Sequence, residues 1–133
     1  MLGHYLMFNG NCEEALAAYK KAFSGEITEL ERYGDMTPNP AFPITDKQKS
    51  LILHGKLKIG SEEIMCADAF EPVSTGNNLY VSFTTSNAAS IRKAWDVLKE
   101  DAVIYMELTP TFFASAHGSL RDKYGVNWMF TNK

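Results

Sequence analysis

A chain of 133 residues that is 45% hydrophobic, 22% charged and 12% aromatic is long enough to bury one core and too short for two independent domains. Its net charge of −3 comes without any run of Lys or Arg, which argues against nucleic acid as a partner, since that affinity rests on clustered cations. No stretch approaches the apolar length of a membrane helix, and Met1 to Asn11 lacks the basic start and apolar core of a secretion signal, so a cytoplasmic protein with no membrane partner is expected.

His4 to Phe8 is a short apolar run, read as a strand, and it stops at Asn9-Gly10-Asn11. Asn11 then has the character of a helix N-cap with Glu14 three residues on. Cys12, Ala15, Leu16, Tyr19, Ala22 and Phe23 recur at helical spacing, which predicts an amphipathic helix ending near Gly25. Glu26 to Tyr33 reads as an edge strand. Met36 to Ser50, with Pro38, Pro40 and Pro43, resists helix and central strand alike and is read as a long loop. Leu51 to Ile59 alternates, with Leu51, Leu53, Leu57 and Ile59 on one face and His54, Lys56 and Lys58 on the other. Gly60-Ser61 turns the chain into a strand around Ile64 to Ala67, and Ala69 to Asn78 connects to the second half.

That half repeats the plan. Leu79, Val81 and Phe83 alternate with Tyr80, Ser82 and Thr84 in a strand, and Asn87 opens a helix with Ala88, Ile91, Ala94, Trp95 and Leu98 on its apolar face. Ala102 to Leu108 reads as a strand, Thr109 to Ser115 as a connection, and His117 to Arg121 with Asn127 to Thr131 as a closing hairpin. His54-Gly55-Lys56-Leu57-Lys58 is echoed by His117-Gly118-Ser119-Leu120-Arg121 at an offset of 63, while Asn11 and Asn87 are offset by 76. The difference of 13 is about the length of the Pro-rich loop, which the second half lacks. The expected fold is α+β: one domain over 1–133 built from two βαβββ modules, about 1–70 and about 77–133.

The residues Asn9 to Tyr19, His54 to Asp68 and Asp122 to Met129 resemble the PhnB-like branch of the vicinal oxygen chelate superfamily, which includes glyoxalase I, extradiol dioxygenases and bleomycin-resistance proteins. The resemblance covers essentially the whole chain. It implies curved sheets that form a cleft, helices outside them, and a homodimer. It also implies four metal-ligand positions on the first and last strands of the modules; these fall on His4 and Cys66 and, by the offsets of 76 and 63, on Tyr80 and Met129. His117 stands where the branch more often has an aromatic.

Catalytic metal sites favour His and carboxylate donors with an open position. That set has only two good donors and no carboxylate, so no metal and no cofactor is assigned, and a divalent metal is kept only as an alternative. His54 and His117 are the candidates for proton transfer, because imidazole titrates near neutrality; polar sheet positions commonly carry His with no such role. Tyr80, Ser82, Phe113 and Met129, together with His4 and Cys66, are candidates to line a ligand cleft, although a buried Cys is more often plain packing. Cys12 and Cys66, lacking C-x-x-C or zinc spacing, fit free thiols. The expected function is the binding of an unidentified small organic molecule, with catalysis left open. The alternatives are a metal-dependent lyase, isomerase or dioxygenase, and a drug-sequestering resistance protein. Without a glycine-rich strand-turn-helix, methyltransferase chemistry is disfavoured.

Overall fold

The computed structural model describes all residues, 1–133. Its strands and helices run β1 (His4–Phe8), α1 (Cys12–Phe23), β2 (Glu26–Arg32), β3 (Ile52–Ile59), β4 (Glu62–Asp68), β5 (Val81–Thr85), α2 (Ala88–Leu98), β6 (Val103–Thr109), β7 (Ala116–Arg121) and β8 (Asn127–Asn132). The order is βαβββ twice over. The chain divides into two compact units: residues 1–20 with 25–73, and residues 21–24 with 74–133. The Pro-rich segment holds only a single 3-10 turn, Gln48–Ser50, at its end, and a second 3-10 turn, Tyr33–Asp35, precedes it. Leu79, expected in a strand, lies outside β5 and is 80% exposed.

In the first unit the sheet order is β1-β4-β3-β2, with β1 parallel to β4 and the other pairs antiparallel. Leu16 and Tyr19 of α1 are buried, as are Phe8, Ile52, Leu57, Ile64 and Cys66 of the sheet. The repeated glycine has a steric reason here: a Cβ on Gly55 would come within 2.8 Å of Leu16 Cδ1 and 3.1 Å of Cys66 Sγ. This same proximity shows which side of the sheet faces α1.

Asp68, at the end of β4, ties this unit together. Its carboxylate accepts the N–H groups of Gly10 (3.0 Å) and Cys12 (2.9 Å) through Oδ1 and that of Ile52 (2.9 Å) through Oδ2. The start of α1 is therefore capped by a carboxylate from a strand distant in sequence, which satisfies donors a helix leaves open and complements its dipole. The phenol of Tyr33 donates to the Asp68 carbonyl at 2.9 Å.

The second unit repeats the order as β5-β8-β7-β6, with β5 parallel to β8. Its core is aromatic: Phe23 packs 4.9 Å from Trp128 and 4.9 Å from Phe83 between ring centres, and Trp95 meets Phe130 edge-on at 5.7 Å. Asn87 caps α2 by accepting from Ser90 N–H at 3.1 Å, as its position predicts. Asp122 holds the last turn: it accepts from Tyr124 and Val126 N–H and, at 2.8 Å, from the Trp128 indole.

The two hairpins differ in length. Gly55 pairs with Cys66 and Gly118 with Phe130, so the glycines stand 63 apart but their partners stand 64 apart. One additional residue sits in the second turn. Likewise Leu6 pairs with Cys66 and Phe83 with Phe130, which makes the offset of the first strands 77 rather than 76.

Candidate functional site

That single residue decides which side chains lie away from the helices. A one-residue slip moves a strand position to the opposite face. Leu6 and Phe8 share the α1 side with Cys66 and Asp68, their partners across the parallel pair. Tyr5 and Met7 therefore project from the other side, where they are 49% and 46% exposed. On β3 the same open side carries His54, Lys56 and Lys58, which alternate with Gly55 and Leu57, and on β2 it carries Glu29 and Glu31 opposite Lys56 and His54.

These groups are linked. Tyr5 Oη lies 3.2 Å from His54 Nδ1, with the two rings 5.9 Å apart between centres. His54 Nε2 lies 3.4 Å from Glu29 Oε2, and Lys56 Nζ lies 3.3 Å from Glu29 Oε1 and 3.8 Å from Glu63 Oε2. Burial, followed by the Cys66 thiol and other neighbours, pushes the Tyr5 phenol above its ordinary value, so at neutral pH it is a donor. With Nδ1 accepting from Tyr5, the imidazole proton belongs on Nε2, where it faces Glu29; a ring nitrogen's role is fixed by the bond that the other nitrogen makes. The result is a phenol hydrogen-bonded to an imidazole whose other nitrogen has a carboxylate 3.4 Å away.

The second unit's open face carries His117, whose Nδ1 is 3.0 Å from Thr131 Oγ1 and whose ring meets Phe113 edge-on at 4.9 Å. Ser82, Met129 and Ser119 occupy this face in register, and the Tyr80 ring meets that of Tyr105 at 6.0 Å. Tyr105 in turn donates to Asn127 Oδ1 at 2.9 Å. His54 and His117 thus hold equivalent sheet positions, as the repeat predicts, but only His54 has a carboxylate in reach. His4 and Cys66, read from the sequence as cleft-lining, are placed on the α1 side instead. His4 Nδ1 sits 3.4 Å from the Glu63 carbonyl, and the buried Cys66 thiol donates to the Gly55 carbonyl at 3.6 Å. Hydrogen bonding to Cys66 and burial push the Cys12 thiol up, as expected of packed thiols.

The four positions named for a metal are accordingly split between opposite sheet sides: His4 and Cys66 on the helix side of one sheet, Met129 on the open side of the other. Re-phased by the observed register, the open-side equivalents are Tyr5, Met65, Ser82 and Met129. No group of three His, Cys, Asp or Glu side chains in the molecule is arranged to hold a metal ion. A phenol, a hydroxyl and two thioethers make a poor donor set for a hard divalent cation, so the residues present do not fit the superfamily's metal.

A concavity of about 560 Å³ lies in the Pro-rich segment between Met36, Pro38, Pro40, Phe42, Ile44 and Lys49. Phe42 and Tyr33 flank Phe70 there, at 6.1 and 4.5 Å between ring centres. Its one charged lining group, Lys49, is paired with Asp46 at 3.0 Å, so it offers shape rather than chemistry. No helix is long and apolar enough to cross a membrane.

The family model described as 3-demethylubiquinone-9 3-methyltransferase matches residues 2–131. The chain belongs to this family. Protein YjdN of Escherichia coli K12 is 32% identical to this PhnB-like chain, over 96% of the chain and 92% of YjdN. Among solved structures, protein PA1353 from Pseudomonas aeruginosa superposes with a TM-score of 0.85 at 31% identity, covering 98% of this chain and 96% of that one. The PhnB protein from Bacillus cereus does so at 0.80 and 27%, covering 98% and 97%. The fosfomycin resistance protein FosX from Mesorhizobium loti, at 7% identity, shares the fold with a TM-score of 0.60 over 100% of this chain and 90% of that one. PhnB-like proteins are a branch of the vicinal oxygen chelate superfamily, and the α+β pair of βαβββ modules is its glyoxalase/bleomycin-resistance fold.

The sequence reading missed Tyr5, Glu29 and Asp68. Tyr5 sits in a run that is apolar on both sides, His4-Tyr5-Leu6-Met7-Phe8, so no alternation sets its phase; only pairing with β4 does. Glu29 follows a register shift between Ile27 and Glu29, which breaks the alternation that would have exposed it.

Proposed function

We propose that this PhnB-like protein binds a small organic molecule on the open face of its first sheet. The reading is supported by the linked row Tyr5, His54, Glu29 and Lys56 beside the exposed thioether of Met7, which combines apolar surface with a few convergent polar groups, the usual make-up of a ligand site. Methyl transfer is not part of this reading. Both helix starts are occupied internally, α1 by Asp68 and α2 by Asn87, and no glycine-rich loop leaves backbone N–H groups for a nucleotide-like methyl donor.

A thermal-shift screen with small organic acids, hydroxyketones and aromatic amines tests the reading. At a hundredfold excess over its dissociation constant a ligand stabilises the fold by about 2.7 kcal/mol, enough to read as a shift. The shift should vanish in His54→Ala and persist in Tyr105→Phe; a shift that survives His54→Ala refutes the location. The same reading includes a homodimer, supported by exposed Val103, Tyr105, Met106 and Phe113 on the second unit. A monomer mass by light scattering would contradict it.

A further inference from the structure

The duplicated histidines serve as each other's control. His117 has a hydroxyl and an aromatic ring for neighbours, whereas His54 stands between a phenol at 3.2 Å and a carboxylate at 3.4 Å. A nucleophile or acid in hydrogen-bond reach of a base, and the base oriented by a third group, is the arrangement that activates a hydroxyl for proton transfer. Tyr5 is the outer member of that series, and half its surface is open.

We propose that Tyr5, His54 and Glu29 form a metal-independent proton-transfer site for a small carbonyl compound bearing a hydrogen on the carbon next to the carbonyl. The proposal rests on the small-molecule reading of the same face. Tyr5 is the catalytic residue; His54 and Glu29 are positioning residues that act through it. In the forward step the substrate C–H bond breaks and the Tyr5 oxygen takes that proton while the phenolic proton passes to His54 Nδ1. The carbon's electron pair moves into the carbonyl and forms an enolate. Glu29 offsets the imidazolium that results. Lys56, an ammonium with three hydrogens and two carboxylate neighbours, is the positive group on this face nearest the series and favours the enolate oxygen. Return of the proton to the same carbon, from either side, re-forms the carbonyl and restores every group, so the net reaction is hydrogen exchange or epimerisation at that carbon and needs no oxidant, reductant or acceptor. This is also why the substrate class is narrow: a relay without a co-reactant can complete only a proton shift, and a carbon gives up a proton readily only beside a carbonyl.

The test uses the full, untagged chain treated with EDTA, with dihydroxyacetone and pyruvate as probes in deuterium oxide, following loss of the substrate C–H signals by proton NMR. Exchange should exceed the buffer rate by at least about a hundredfold, the lower range for positioned acid–base catalysis. It should fall to background in Tyr5→Phe, fall in Glu29→Gln, and stay unchanged in Tyr105→Phe. In His54→Ala it should fall and be restored by added imidazole, a rescue that a merely structural role would not show. No exchange above buffer with either probe overturns the proposal, as does exchange that survives Tyr5→Phe or disappears with EDTA. If probes shift the melting temperature without exchange, proton transfer fails while the binding reading stands; if neither occurs, proton transfer fails and the wider thermal-shift screen decides the binding reading. Circular dichroism of each variant shows that the fold is retained.

Discussion

Replacing Asp68 should damage the first unit more than any other single polar change. In Asp68→Ala three backbone donors lose their acceptor. The Gly10 N–H is exposed enough to regain water, but Cys12 is fully buried and Ile52 is 1% exposed, so their N–H groups remain without a partner. A buried donor left unmade costs about 1–3 kcal/mol, and charge-assisted bonds lie at the upper end. Two such donors set a loss on the order of 4 kcal/mol, against a total stability of roughly 5–15 kcal/mol for a domain. Asp68→Asn keeps one acceptor oxygen for Cys12 and Gly10 but turns an amide N–H₂ toward the Ile52 donor, so it should lose about half as much. Urea unfolding at pH 7 followed by circular dichroism gives both values, and hydrogen exchange at the Cys12 amide reports the local effect. A loss below about 1 kcal/mol for Asp68→Ala, or equal losses for the two variants, would refute the assignment of Asp68 as the shared cap.

Gly118→Ala should cost more than Gly55→Ala, because a Cβ at Gly118 meets backbone, Leu108 Cα at 2.9 Å and Met106 O at 3.0 Å, whereas at Gly55 the nearest atom is the mobile Leu16 Cδ1. Overpacking costs typically about 1–3 kcal/mol, and paired unfolding curves rank the two. Cys12 and Cys66, both buried, should not react with an aromatic disulfide reagent in the native protein at pH 8 and should titrate as two thiols in urea; rapid native reaction would show that the packing around them opens. The Arg32 guanidinium holds the Glu13 carboxyl below its usual range by direct hydrogen bonding, at 2.6 Å. A lowered folded value stabilises the protein above the ordinary carboxylate pKa and is lost as pH falls through the lowered one. For this exposed pair the effect is at most about 1 kcal/mol. The stability difference between wild type and Glu13→Gln should therefore shrink toward zero in acid, and a difference that grows there would reverse the sign.

Much of the architecture was legible because it is written twice. Alternation in β5, helical spacing from Cys12 to Phe23, and the repeated His-Gly-x-Leu each reflect a buried face with a fixed period; in β3 the period holds from Gly55 to Leu57 but breaks at the start of the strand, where Ile52 and not Leu53 enters the core. The site was less legible, since its members are joined by pairing and not by sequence. Tyr5 and His54 meet only because β1 and β3 both flank β4, and Glu29 reaches His54 across a strand whose regular alternation is broken. Asp68 gave no signal at all: an acidic residue closing a strand looks like a solvent-exposed end until the helix start it caps, 56 positions away, folds against it. His4 and Cys66 fall on the helix side because β1 pairs in parallel with β4, Leu6 opposite Cys66, a phase that the apolar run of β1 does not set by itself. The positions carried from them to the second half fall out of phase for a different reason: counting by a constant offset assumes that both turns hold the same number of residues.

That additional residue also sets a rule for recombining the halves. A hairpin exchanged between modules at the constant offset of 63 would carry Met129 into the place of Cys66, pressing a long thioether into the tight space under Gly55, and would put the Phe130 ring on the opposite side, in the place of the small, buried Ala67. Cut instead at the two glycines and at their cross-strand partners, Cys66 and Phe130, the pieces keep their inner faces. The turn anchored by Asp122, with its three accepted N–H groups, would have to travel as one block with Trp128.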